Sequence, residues 1–125
     1  MKIVNWILQG ILAFAFFGAG ALKLATPYAE LATDPNMAWV SDFSATQIKI
    51  IAVLEMLGAI GVFAPLFLPR RFAVLMPLAA TGLACVMVGA VFVHISNGEP
   101  YAINMVLLGL AVYITWIRRG ALGIN

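Results

Sequence analysis

Lys23, Glu55, His94, Glu99 and Asn104 are the side chains in this sequence best equipped to bind a polar group or move a proton. An amine, an imidazole and a carboxamide can donate to a carbonyl oxygen, and a carboxylate can relay the proton that reduction of such a carbonyl requires. Four of the five fall inside long apolar runs, and Glu99 follows the third run directly. An ionisable group near the centre of a membrane-length run costs about 2.5–3.5 kcal/mol to insert, so each needs a physical reason.

Hydrophobic residues make up 64% of the 125 positions and charged residues 10%, against about 25% charged in soluble domains. Lipid is therefore the expected surrounding. Four spans of about 20 residues, the number that crosses the hydrocarbon layer, consume most of the chain and leave one domain, 1–125. The expected fold class is all-α: a polytopic membrane protein built as an antiparallel four-transmembrane-helix bundle. The net charge of +2 comes from basic residues scattered in pairs, not from a stripe, so nucleic acid is not an expected partner.

The spans are read at 3–24, 47–68, 72–96 and 100–118, with a long loop at 25–46. Lys2 and the small residues Gly18 to Ala21 imitate a secretory signal, but the apolar run exceeds the usual length of about 7–15 residues, and a retained first span is expected. Ser44 and Gln47 fit a capping box opening the second span. Pro77 should bend the third or mark its first turn, and Pro100 should be the first helical residue of the fourth. Lys2, Arg70, Arg71, Arg118 and Arg119 share one set of ends, whereas Glu30, Asp34, Asp42 and Glu99 share the other. That asymmetry puts both termini in the cytoplasm. Tyr28, Trp39 and Phe43 then hold the outer loop on the membrane interface, where it can cap the bundle. Ala15 with Ala19, Ala80 with Ala84, and Cys85 with Gly89 are expected to let helices approach closely. The single cysteine, Cys85, excludes an internal disulfide and a Cys-x-x-Cys redox motif, and is expected to pack.

At 1.5 Å per residue, Lys23 lies ~5 Å below the outer boundary, Glu55 ~12 Å, His94 ~4 Å and Asn104 ~6 Å. All are in the outer half although the helices alternate in direction, so one shared pocket is expected there, above an apolar cytoplasmic half. By helical spacing, Lys23 shares a face with Phe16, Ala19 and Gly20; Glu55 with Ala52, Ala59 and Val62; His94 with Leu83, Met87 and Ala90; Asn104 with Leu108, Ala111 and Thr115. Blander roles compete. Lys23 can snorkel to the headgroups, His94 can sit at the interface, Asn104 can bridge two helices, Glu99 can be a solvated loop acid, and Lys49 is read as an interface anchor. Glu55 is too short to reach water, and must be neutral, paired with Lys23 or His94, or facing a wet cavity. Glu55, His94 and Glu99 form a conceivable divalent-metal set, but no metal is expected.

Three pieces then stand in register: Phe17-Gly18-Ala19-Gly20-Ala21-Leu22-Lys23-Leu24, Leu54-Glu55-Met56-Leu57-Gly58-Ala59-Ile60-Gly61, and Met87-Val88-Gly89-Ala90-Val91-Phe92-Val93-His94 with the following Asn97-Gly98-Glu99-Pro100. With them the chain resembles the DoxX-like family of small four-span membrane proteins of bacteria, which has distant animal relatives. The resemblance implies a four-helix membrane fold in the bacterial inner membrane, with Lys23, Glu55, His94 and Glu99 at the family's recurring polar positions. Members are linked to thiosulfate:quinone oxidoreduction, to a membrane complex handling oxidative stress, and to receptor assembly in an animal relative. The expected function is binding of a quinone-like or other amphipathic small molecule in a redox-associated complex. The alternatives are an assembly subunit recognising other membrane proteins and a small proton-linked transporter, the latter weakened by the lack of broken-helix repeats. No flavin, haem or iron–sulfur motif is evident, so the chain is not expected to be an enzyme on its own. A bound quinone or lipid is the expected small molecule. The bilayer, a membrane or redox protein, and a second copy of the chain are the expected partners.

Overall fold

A computed structural model describes residues 2–124. Among these residues four helices are long and apolar enough to cross a membrane: Lys2–Ala25, Ala45–Phe67, Arg70–Ser96 and Ala102–Leu122. The chain is a multi-pass membrane protein. Its α-helical parts are α1 (Lys2–Ala25), a short α2 (Tyr28–Thr33), α3 (Ala45–Phe63), α4 (Leu75–Ser96) and α5 (Ala102–Arg118). Tighter 3-10 turns extend the second and fourth spans and begin the third.

Each span sorts its residues as lipid requires. Phe14 and Phe16 lie two positions apart on α1, yet Phe14 is 83% exposed and Phe16 only 1%, because one faces hydrocarbon and the other the bundle. Inside, Leu12, Phe16, Val62, Leu83 and Ile114 meet the alanines 13, 59, 80 and 111 in one core. Lipid tails are as apolar as these side chains, so association depends on close backbone approach instead of water exclusion. The most extensive contact joins α1 to α3, and Gly20 explains its closeness: a Cβ there would lie 2.6 Å from the Ala52 carbonyl oxygen. Gly58 meets Leu83 and Gly61 meets Ala79 in the same manner, drawing α3 onto α4. The expected Cys85–Gly89 step does not serve packing. Both residues are exposed, and a Cβ on Gly89 would touch nothing within 4 Å.

The helix ends follow local chemistry. Ser44 caps α3 with Gln47 in a complete capping box. Pro77 sits in the first turn of α4, where the missing N–H has no intrahelical partner to lose. Pro100 lies outside α5, which starts at Ala102 behind Tyr101. The chain needs those residues to complete the turn that ends α4. There Gly98 adopts φ +67°, the Gly98 N–H donates to Ile95 O and the Glu99 N–H to His94 O at 2.8 Å. This is a Schellman motif, which a residue with a side chain would strain.

The segment between α1 and α3 folds over one end of the bundle. Leu31 and Val40 of this segment form a small core with Ile48 of α3, and Tyr28, Trp39 and Phe43 pack around them. The Tyr28 hydroxyl donates to the carbonyl of Phe43, and Asn97 in the α4–α5 turn donates to Asp42 at 2.7 Å. We call this the capped end and the opposite one the termini end.

Because the Gly20 contact is with backbone, Gly20→Val is expected to destabilise the detergent-solubilised protein by about 1–3 kcal/mol through overpacking. Gly89→Ala, at an open mid-helix position where glycine weakens the helix, should hold or raise the thermal midpoint; a fall equal to that of Gly20→Val would contradict the packing described.

Candidate functional site

Helical spacing alone carries Gln9, Leu12, Ala13, Phe16, Gly20 and Lys23 to the buried face of α1, and Ala52, Glu55, Ala59 and Val62 to that of α3. Where the two faces meet at the capped end, Lys23 Nζ donates to Glu55 Oε1 at 2.7 Å, with the side chains 8% and 5% exposed. Lys23 therefore does not snorkel, and of the options open to Glu55 the pairing with Lys23 is realised. Desolvating either ion alone costs several kcal/mol, and the short bond offsets that only while both are present. Glu55 Oε2 has no protein partner, yet no sealed side-chain polar atom is left unpartnered among the described residues. That oxygen is thus accessible from a cavity.

The cavity has a volume of about 440 Å³ and is bounded by Lys23, Ile51, Glu55, Trp39, Phe43, one face of α4 between Cys85 and His94, and Asn104. Its walls are overwhelmingly apolar. Trp39 forms the roof. Its ring lies 5.8 Å from Lys23 Nζ, a cation–π distance, and stands edge-on to His94 with centroids 6.0 Å apart. His94 Nδ1 is 3.2 Å from Glu99 Oε1. The Schellman turn creates this pair, since it folds the second residue past the cap back over the third-last residue of the helix. Glu99 is accordingly half-buried beside His94 and does not stand in open solvent as a loop acid. With Nδ1 engaged by the carboxylate, Nε2 is the imidazole nitrogen left for a ligand. Asn104 enters from α5 with its amide 3.8 Å from Met87 Sδ.

Four of the five sequence-selected residues, Lys23, Glu55, His94 and Asn104, therefore line one space, and Glu99 supports His94 from behind. The metal set is not assembled: among the described residues no three His, Cys, Asp or Glu side chains converge. Trp39 was not singled out for the site by the sequence. An aromatic residue in a loop reads as an interface anchor, and only the folded cap brings it onto Lys23 and His94. Cys85 lies on the cavity rim and is exposed, so it is not a packing residue.

The termini half is not uniformly apolar, contrary to expectation. Gln9 is completely buried. Its amide donates to Val62 O at 2.8 Å, and its Oε1 accepts from Arg118 Nε at 2.8 Å and from Nη2. Nearby, the Tyr113 hydroxyl donates to Asn5 at 3.1 Å. The signal was present, because stepping back from Lys23 by helical spacing lands on Gln9; a neutral side chain within an apolar run simply draws less notice than a charge. Leu12, Phe16, Ala59, Val62, Leu83 and Ile114 separate this lower cluster from the cavity.

The model of the DoxX-like family matches residues 7–116, which include all five selected residues and exclude Arg118. No curated protein matches, and no solved structure does.

Removing one partner of the buried pair, as in Lys23→Met or Glu55→Leu, is expected to cost about 3–5 kcal/mol in unfolding measurements. The double variant should recover most of that loss. If the double variant is as unstable as the two single losses added together, the two charges do not depend on each other.

Proposed function

The chain belongs to the DoxX-like family, and on that footing we propose that it holds the polar head of an amphipathic, quinone-like molecule in the cavity at the capped end. The carrying observation is the combination of a large apolar space with few polar groups inside it. About 440 Å³ lies within the range of small-molecule sites, which are mostly apolar with a few convergent polar groups fixing orientation. The free N–H groups of Lys23 and of the Asn104 amide suit a ring carbonyl, and His94 Nε2, the acceptor nitrogen while Nδ1–H faces Glu99, suits the hydroxyl of the reduced ring. Glu55 Oε2 suits the transfer of a proton to or from it.

Entry from the membrane fits the exposure of the rim. Cys85, Gly89 and Phe92 bound the cavity and are all exposed, Phe92 at 72%. The cap closes the direction away from lipid. In this reading the electrons of any redox step pass to or from a protein partner, and this chain contributes binding and proton handling. A proton-linked transporter is less favoured, because the apolar layer below the cavity separates its polar groups from the Gln9–Arg118 cluster.

We place both termini on the cytoplasmic face of a bacterial inner membrane. Lys2, Arg70, Arg71, Arg118 and Arg119 all belong to the termini end, and basic residues are retained on the cytoplasmic side.

Mass spectrometry of the purified protein should detect a quinone or lipid retained by the wild type and lost from Glu55→Gln. A ligand-free wild type that folds normally would overturn the reading. For orientation, on a Cys85→Ser background, Asn36→Cys should react with an impermeant thiol reagent from outside and Arg70→Cys only after permeabilisation. The reverse pattern sinks the placement.

A further inference from the structure

The cavity adjoins a second one across a single shared wall residue. Val86 of α4 also borders a second depression, of about 640 Å³, that follows the α3–α4 seam toward the termini end between Leu54, Leu57 and Gly58 on one side and Leu75, Leu78 and Gly82 on the other. Every residue lining it is apolar. Its glycines divide into two kinds. A Cβ on Gly58 or Gly61 would collide with Leu83 or Ala79, so these two set how closely the helices meet and thereby the depth of the trough. A Cβ on Gly82, like one on Gly89 at the cavity rim, would meet nothing within 4 Å. A glycine inside a helix is unfavourable to helix formation, and here no helix contact offsets it; what its missing side chain leaves is open trough.

Head and tail of an amphiphile must leave a side-opening pocket by the same mouth. The cap blocks the polar direction, and the Gly58–Leu83 contact blocks the bundle interior, so the path left for a tail is outward past Val86 and along the seam. Resting on the reading that the cavity takes an amphiphile's head, we propose that the ligand carries one long hydrocarbon tail, isoprenoid or acyl, and that the α3–α4 groove is the seat of that tail. Such a seat adds affinity because a fixed apolar wall gives the tail more dispersion contacts than mobile lipid chains do. It also selects for tail length, since a short-tailed molecule with the same head would fill the cavity and leave the groove to bulk lipid.

The test uses the full chain in detergent with Trp6→Phe and Trp116→Phe, so that Trp39 at the cavity roof is the fluorescent reporter. Two probes are titrated: a dimethoxy-methyl-benzoquinone without a tail, and the same ring carrying a decyl tail. Both should quench Trp39, with the decyl form binding on the order of tenfold tighter. Gly82→Leu should remove most of that gain while leaving the tail-free ring's affinity unchanged, and Gly82→Ala should remove a smaller part of it. A gain that survives both substitutions overturns the groove, because the tail then lies elsewhere, and leaves the cavity reading standing. Loss of tail-free binding in Gly82→Ala, the gentler variant, also overturns it, since Gly82 would then serve the cavity. If neither probe quenches wild-type Trp39, the cavity reading falls and the groove with it.

Discussion

A lysine and a glutamate held 2.7 Å apart inside a lipid-embedded bundle constrain nearly everything around them. Neither charge tolerates hydrocarbon alone, so α1 and α3 must meet with Lys23 and Glu55 at the same depth, which fixes the register of the most extensive helix contact in the protein. Gly20, one turn from Lys23, makes that meeting possible by letting the α1 backbone approach Ala52 and Met56 of α3. The pair also explains why the capped end is covered. A roof of Trp39 and Phe43 lowers the access of water to the ion pair, and the indole face gives Lys23 a second favourable neighbour.

The cavity arises from unequal packing along one seam. α3 and α4 press together where Gly58 faces Leu83 and Gly61 faces Ala79, but nearer the cap Ile51 and Glu55 stand across open space from Val86 and Val93. At the other end, the Gln9–Arg118 contact serves a different need. Pro65 interrupts the hydrogen-bond ladder just beyond α3, and Gln9 supplies the donor that the Val62 carbonyl would otherwise lack inside the bundle. Each half of the protein thus contains a buried polar feature: the upper one joins two opposite charges beside an open space, and the lower one caps a helix end within closed packing.

Read alone, the sequence determined the all-α class, the number of spans, the capping box at Ser44, and the faces on which Lys23, Glu55, His94 and Asn104 stand. All of these rest on composition or on local periodicity, which act within a single helix and leave a one-dimensional trace. The tertiary structure decided which faces meet. It chose Lys23 over His94 as the partner of Glu55, turned Glu99 back onto His94 through the positive φ of Gly98, carried Trp39 from a loop onto the site, and distinguished Gly20, which packs, from Gly89, which does not. It also placed Arg118 beside Gln9, more than a hundred residues away in the chain. These depend on distances between segments remote in sequence, set by the depth at which each helix crosses its neighbours, and no periodicity within one helix encodes that.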